Sequence, residues 1–224
     1  MFITEYFNRL KNTKDSNLLI NLIFGFFPFS YFFGSLIVNL NFLLFCCLGI
    51  FYLRSKILNN EYGLHIKIIF LFFVVIIFST SLSFIKSLYF EGYEYHNLLR
   101  FIKSLLFLRF FLFLIIVYLL NKFDILDFKY FFLSAAFASI LLSLDIIYQY
   151  NFGYDILGFK NDGLRNGGFF GDEFIAGAYI ERFSFFAIFF TIIFLQNKTF
   201  ARFAFTAFVV TILGAGILLS GNRM

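Results

Sequence analysis

The length of the apolar runs constrains this chain more than anything else. The block from Leu18 to Leu53 contains no charged residue. One helix needs about 20 apolar residues to cross hydrocarbon, so the block reads as two helices joined by a tight turn. The turn is placed between Gly34 and Asn41, where Asn39 and Asn41 offer turn chemistry. Further runs follow, and the expected spans are 18–34, 37–53, 66–84, 98–120, 130–148, 174–195 and 203–220. The predicted fold class is all-α, a polytopic transmembrane helical bundle of about seven spans. It is read as a single domain over residues 1–224, with no internal repeat.

Composition agrees. Hydrophobic residues make up 61% of the chain and the mean hydropathy is +0.88, above the roughly 45–50% apolar content of soluble domains. The 42 Phe, together with much Ile, Asn and Lys, point to an AT-rich coding bias rather than to an aromatic binding surface. A net charge of +5 would suggest nucleic acid in a soluble protein. Here the positive-inside rule accounts for it, so the expected partner is the lipid bilayer and no nucleic acid. Cys46 and Cys47 are adjacent within an apolar run, without metal-ligand spacing, and read as small packing residues. The polar segment from Met1 to Asn17 precedes a run too long for a signal peptide, so the first span reads as an uncleaved anchor.

Lys and Arg set the expected orientation. One side holds Arg9, Lys11, Lys14, Arg54, Lys56, Lys67, Lys122, Lys129, Lys198 and Arg202. The other holds Lys86, Lys160 and Arg165 beside Glu91, Glu94, Asp155, Asp162, Asp172 and Glu173. The basic side is expected in the cytoplasm, with the N-terminus inside and loops 86–97 and 149–173 outside.

Charges inside spans cost roughly 2.5 kcal/mol or more at the bilayer centre and mark candidate sites. Arg100 and Lys103 lie near a span end and can snorkel to the interface. Arg109 falls near mid-span and needs the bundle interior, a wet cavity or a partner carboxylate. Asp145 is a candidate partner, and a structural bridge and a substrate role stand equal. Glu181 and Arg182 sit in the second turn of the sixth span. Asp172 and Glu173 precede that helix, where carboxylates suit the dipole and where a capping role and a functional one both remain open. Arg165 lies among Gly163, Gly167, Gly168 and Gly171, and Arg223 follows Ser220 and Gly221. Arginine flanked by glycine can hold a phosphate or pyrophosphate at close range. His65 and His96 have no metal-ligand partner nearby in sequence, and no P-loop, GxSxG or dinucleotide fingerprint occurs. No metal site is expected, no catalytic residue is assigned, and His96 is a minor candidate for a general base.

The stretch Arg165-Asn-Gly-Gly-Phe-Phe-Gly-Asp-Glu-Phe-Ile-Ala-Gly-Ala-Tyr-Ile resembles the bacterial O-antigen ligase/polymerase family, as does the span ending Leu218-Leu219-Ser220-Gly221-Asn222-Arg223. The early helix pair with Pro28 and Gly34 is similar too. The resemblance implies an inner-membrane glycosyltransferase of surface polysaccharide assembly. It would take glycan from undecaprenyl pyrophosphate to an acceptor glycan or lipid A core on the periplasmic side, with no cofactor. Arg165 and Arg223 would hold the pyrophosphate, with Arg109 as a possible third. Family members have about a dozen spans and a large loop after the Ser-Gly-x-Arg helix, so the chain is expected to be an N-terminal half. A lipid-glycan flippase segment and a non-catalytic membrane subunit are the alternatives.

Overall fold

The computed structural model describes residues 17–57, 59–91, 95–161, 165–171, 173, 175–194 and 199–221. These form seven α-helices: α1 Leu18–Ser30, α2 Ser35–Leu53, α3 Leu64–Lys86, α4 Tyr95–Lys122, α5 Phe128–Phe152, α6 Ala176–Phe194 and α7 Thr199–Leu219. The fold is all-α, as the apolar runs dictate. An isolated bridge between Tyr154 and Lys160 is the extended pairing seen among the described residues. Five helices, α2, α3, α4, α5 and α7, are long and apolar enough to cross a membrane. The remaining two of the expected seven are α1, whose apolar stretch Leu18–Phe33 is shorter, and α6, which carries exposed Glu181 and Arg182. Several helices outrun their apolar cores at both ends. α4 begins at Tyr95 rather than 98, and α5 runs to Phe152 rather than 148, because polar end residues still satisfy their backbone within the helix.

The first turn differs from expectation. α1 contains Pro28 and gives way to a 3₁₀ turn over Tyr31–Phe33, and Gly34 reverses the chain at φ 86°. α2 starts at Ser35, so Asn39 and Asn41 are helical rather than turn residues. Their amides donate to helix carbonyls. Asn39 Nδ2 donates to Ser35 O at 2.8 Å, and Asn41 Nδ2 reaches across to Ile23 O of α1 at 3.2 Å. Proline removes a backbone donor and glycine admits positive φ, so these two residues stop α1 before the asparagines are reached.

The chain divides into two compact units, Met1–Phe42 with Asp127–Met224, and Leu43–Leu126. In the first, α5 packs against α1, α6 and α7. Its buried face is small: Ala135, Ala136, Ala138, Ser139 and Ser143, with Leu142 and Ile146. A Cβ on Gly216 of α7 would come within 2.7 Å of Ser143 Cβ, so these two backbones meet closely. The buried hydroxyls turn back on their own helix, Ser139 Oγ to Ala135 O at 2.7 Å and Ser143 Oγ to Ser139 O at 2.8 Å. Tyr179 of α6 packs its ring on Phe32, Phe170 and Phe183 and donates its hydroxyl to Pro28 O at 2.7 Å. α5 starts on an Asp127 N-cap. Asp127 Oδ1 accepts from Lys129 N at 2.9 Å, and Asp127 N donates to Asn21 Oδ1 of α1 at 2.7 Å. Burial pushes the Asp127 carboxyl above its ordinary pKa, opposed by the Lys129 amide and charge.

Aromatic rings join helices in both units: in the first, Phe24 of α1 lies 5.0 Å from Phe131 of α5, and the second relies on such pairs most. α3 and α4 meet through phenylalanine pairs: Phe70 and Phe73 on Phe111 at 5.2 and 5.5 Å, Phe73 on Phe107 at 5.3 Å, and Phe84 stacked on Phe101 at 5.8 Å. One hydroxyl contact joins the two helices, Thr80 Oγ1 to Ser104 Oγ at 2.7 Å. Phe45 of α2 sits on Phe113 of α4 at 5.2 Å, and at Gly49 there is no room for a Cβ against Ile116. Much of the phenylalanine here is therefore packing material within and between helices.

Candidate functional site

The segment between α5 and α6 carries most of the candidate residues, and α5 shapes it. The helix stops at Gly153, whose φ of 81° fits a left-handed cap and whose N–H returns to Gln149 O at 2.8 Å. The chain then closes a small loop. Asp155 N donates to Phe159 O at 2.9 Å, Phe159 N donates to Asp155 Oδ1 at 2.6 Å, and Asn161 N donates to Gly153 O at 3.1 Å. Two side chains of α5 hold that loop from below. Asp145 and Gln149 are four residues apart, so they share a helix face. Asp145 Oδ1 accepts from Ile156 N at 3.0 Å, and Gln149 Nε2 donates to Phe159 O at 3.2 Å. Asp145, Gln149 and Asp155 are all buried.

Gln149 also reaches the second half of the segment, where its Oε1 accepts from Gly168 N at 2.9 Å. That half turns on glycine. Gly168 has φ 53°, and a Cβ there would meet Asp145 Oδ2 and Leu142 Cδ1, each at 2.9 Å. At Gly167 there is no room for a Cβ beneath the Gly171 carbonyl. The glycines that read as a phosphate-binding feature thus have a packing reason as well: they let the 3₁₀ turn Gly168–Phe170 lie flat on α5.

Asn166 ties this turn to the end of α7. Its backbone N–H donates to Ser220 O at 3.2 Å and its Nδ2 donates to Leu219 O at 2.6 Å. The amide orientation is dictated, because the opposite flip would set two acceptor oxygens against each other. α7 itself stops by local means. Ser220 Oγ donates to Ile217 O at 2.7 Å, and Gly221 follows at φ 68°. Asn166 therefore joins the turn after Arg165 to the end of α7.

The structure distributes the individual candidates unevenly. Arg165 is exposed and adjoins the buried Asn166. Arg223 lies outside the described residues, as do Glu94, Asp162, Gly163 and Asp172. Arg109 belongs to the second unit, on α4, where it is exposed and its guanidinium lies 5.0 Å from the Phe110 ring centre. Asp145, its candidate partner, belongs to the first unit, and its Oδ1 accepts from the Ile156 amide. Arg100 Nη1 donates to Asn97 Oδ1 at 3.4 Å, and Lys103, Glu173, Glu181 and Arg182 are exposed. His96 is exposed, whereas the His65 ring packs edgewise on Tyr118 at 5.3 Å. Cys46 and Cys47 are free thiols. Among the described residues, no group of three or more His, Cys, Asp or Glu side chains comes together to hold a metal.

Elsewhere in the first unit, α1 and α5 form an open apolar groove of about 440 Å³ lined by Leu22, Phe26, Phe29, Leu133 and Phe137 among others. Sequence reasoning assigned no individual role to Gln149, Asn166 and Tyr179. No local pattern marks them, since each acts on a partner distant in sequence. Comparison with protein-family models, with curated proteins and with solved structures finds no match for this chain.

Proposed function

We propose that this chain works in surface-polysaccharide assembly, as an O-antigen ligase/polymerase-like glycosyltransferase of the bacterial inner membrane. The observation that carries the reading is the pair of hydrogen bonds from Asn166 to Leu219 and Ser220. They join the Arg165 segment to the Ser220–Gly221 segment, the two places where the resemblance is specific. In this reading the segment between α5 and α6 faces the periplasm, and the N-terminus is cytoplasmic.

The donor is a glycan on undecaprenyl pyrophosphate. The acceptor hydroxyl oxygen attacks the anomeric carbon, and the bond from that carbon to the pyrophosphate oxygen breaks. The electron pair stays on the departing lipid pyrophosphate, and the hydroxyl proton passes to a general base. Arg165 and Arg223 serve by meeting the charge that grows on the leaving group, where electrostatic stabilisation is most effective. A planar guanidinium suits this role because it engages two phosphate oxygens at once.

The test replaces Arg165 and Arg223 with alanine in the intact protein and follows the length and attachment of surface polysaccharide by gel electrophoresis. Loss of long chains at unchanged protein level is the expected result. Unaltered polysaccharide would overturn the reading.

A further inference from the structure

The end of α7 presents a problem for any anion nearby. The last turn of a helix leaves carbonyl oxygens without intrahelical donors, and they carry the negative end of the helix dipole. A phosphate beside Ser220 and Gly221 would meet those oxygens as well as any arginine. Asn166 answers this directly. Its backbone N–H and its side-chain Nδ2 both donate into that turn, to Ser220 O at 3.2 Å and Leu219 O at 2.6 Å. The residue is buried at 6% exposure, while Arg165 one position earlier is exposed. One residue thus quiets two terminal carbonyls and pins the backbone next to Arg165. The other side of the turn is equally fixed, by Gly168 N on Gln149 Oε1 at 2.9 Å.

We infer that Asn166 is a positioning residue of the anion site, capping α7 from outside so that a lipid-linked pyrophosphate meets Arg165 rather than helix carbonyls. The inference rests on the pyrophosphate reading above and adds how that site is held. Asn166 acts through Arg165 and does not touch the ligand. Its contribution therefore depends on Arg165 being present, which a residue needed only for folding would not show.

The experiment is a double-mutant cycle on the full chain in nanodiscs, with undecaprenyl pyrophosphate as the probe and binding read by native mass spectrometry. Arg165→Ala and Asn166→Ala are each expected to weaken binding about tenfold, the scale of one hydrogen bond to a charged group. The double variant is expected to be no weaker than the worse single variant. Independent effects that multiply in the double variant would overturn the inference, and so would wild-type binding by Asn166→Ala. A wild-type result for Arg165→Ala would instead defeat the pyrophosphate reading itself, so the two failures are distinguishable. Should Asn166→Ala fail to fold, Asn166→Ser shortens the side chain, keeps the backbone donor and enters the same cycle.

Discussion

The two units solve the same problem with different materials. Helix α5 of the first unit has 44% of its apolar window buried, whereas α3 of the second has 6%. The first unit achieves this with alanine, serine and glycine, which let α5 approach its neighbours closely, and with polar side chains that cross between elements. The second unites α3 and α4 through wide aromatic rings and one hydroxyl pair. Lipid tails are as apolar as any side chain, so burying hydrocarbon gains little within a bilayer, and close packing and hydrogen bonds decide which helices associate. By that standard the first unit is the more strongly specified, and it also carries the Arg165 segment.

The contrast is easiest to break at Gly216. A leucine there drives a side chain into Ser143, and overpacking of this kind costs about 3 kcal/mol. Thermal unfolding in mild detergent should show the largest loss of the series. A wild-type midpoint would mean that α5 and α7 do not need their close approach. Asp145→Ala comes next, because it strands the Ile156 amide that Asp145 Oδ1 now satisfies, at about 2 kcal/mol. Hydrogen exchange should rise across residues 153–161 while residues 64–122 keep wild-type protection. Tyr179→Phe removes one donor, to Pro28 O, and should lower stability by about 1 kcal/mol with the ring packing intact. In the second unit, Thr80→Ala breaks the contact with Ser104 for only about 0.6 kcal/mol. An effect larger than that of Tyr179→Phe would reverse the ranking of the two units.

The smallest effect concerns pH. Asp127 has a raised carboxyl pKa in the folded protein, so the folded state holds that proton more tightly than the unfolded state does. The penalty for ionised burial is fully present above the raised value and is relieved as pH falls through it. Asp127→Asn keeps a competent N-cap without the charge. It should be at least as stable as wild type near neutral pH, with the gap closing in acid. A gap that widens in acid would contradict the burial argument.

The helices were legible because apolar runs of bilayer length leave the backbone little choice. The α1–α2 turn was misplaced because asparagine carries two meanings. It is a turn former in water, but inside a bundle its amide can bond a neighbouring helix, as Asn41 does with Ile23 O. The Arg165 segment was legible as a glycine-rich stretch with an exposed arginine, yet the reason for its glycines was not. Gly168 answers to Leu142 and Asp145, more than twenty residues earlier. Asn166 stood in the quoted stretch but received no role of its own, because its partners lie at Leu219 and Ser220, and no periodicity links positions so far apart. Asp145 was noticed for its charge, but its hold on the Ile156 amide eleven residues later was not.

The early stop of α1 has a consequence outside the protein. The stretch Leu18–Phe33 rises about 24 Å at the helical repeat, against roughly 30 Å of hydrocarbon. Its Leu18, Leu19, Leu22 and Phe26 are exposed. A short apolar flank is matched by local thinning of the bilayer, at fractions of a kcal/mol per Å. The edge formed by α1 therefore favours short-chain or disordered lipids, so membrane thickness acts directly on the edge that Pro28 and Gly34 define.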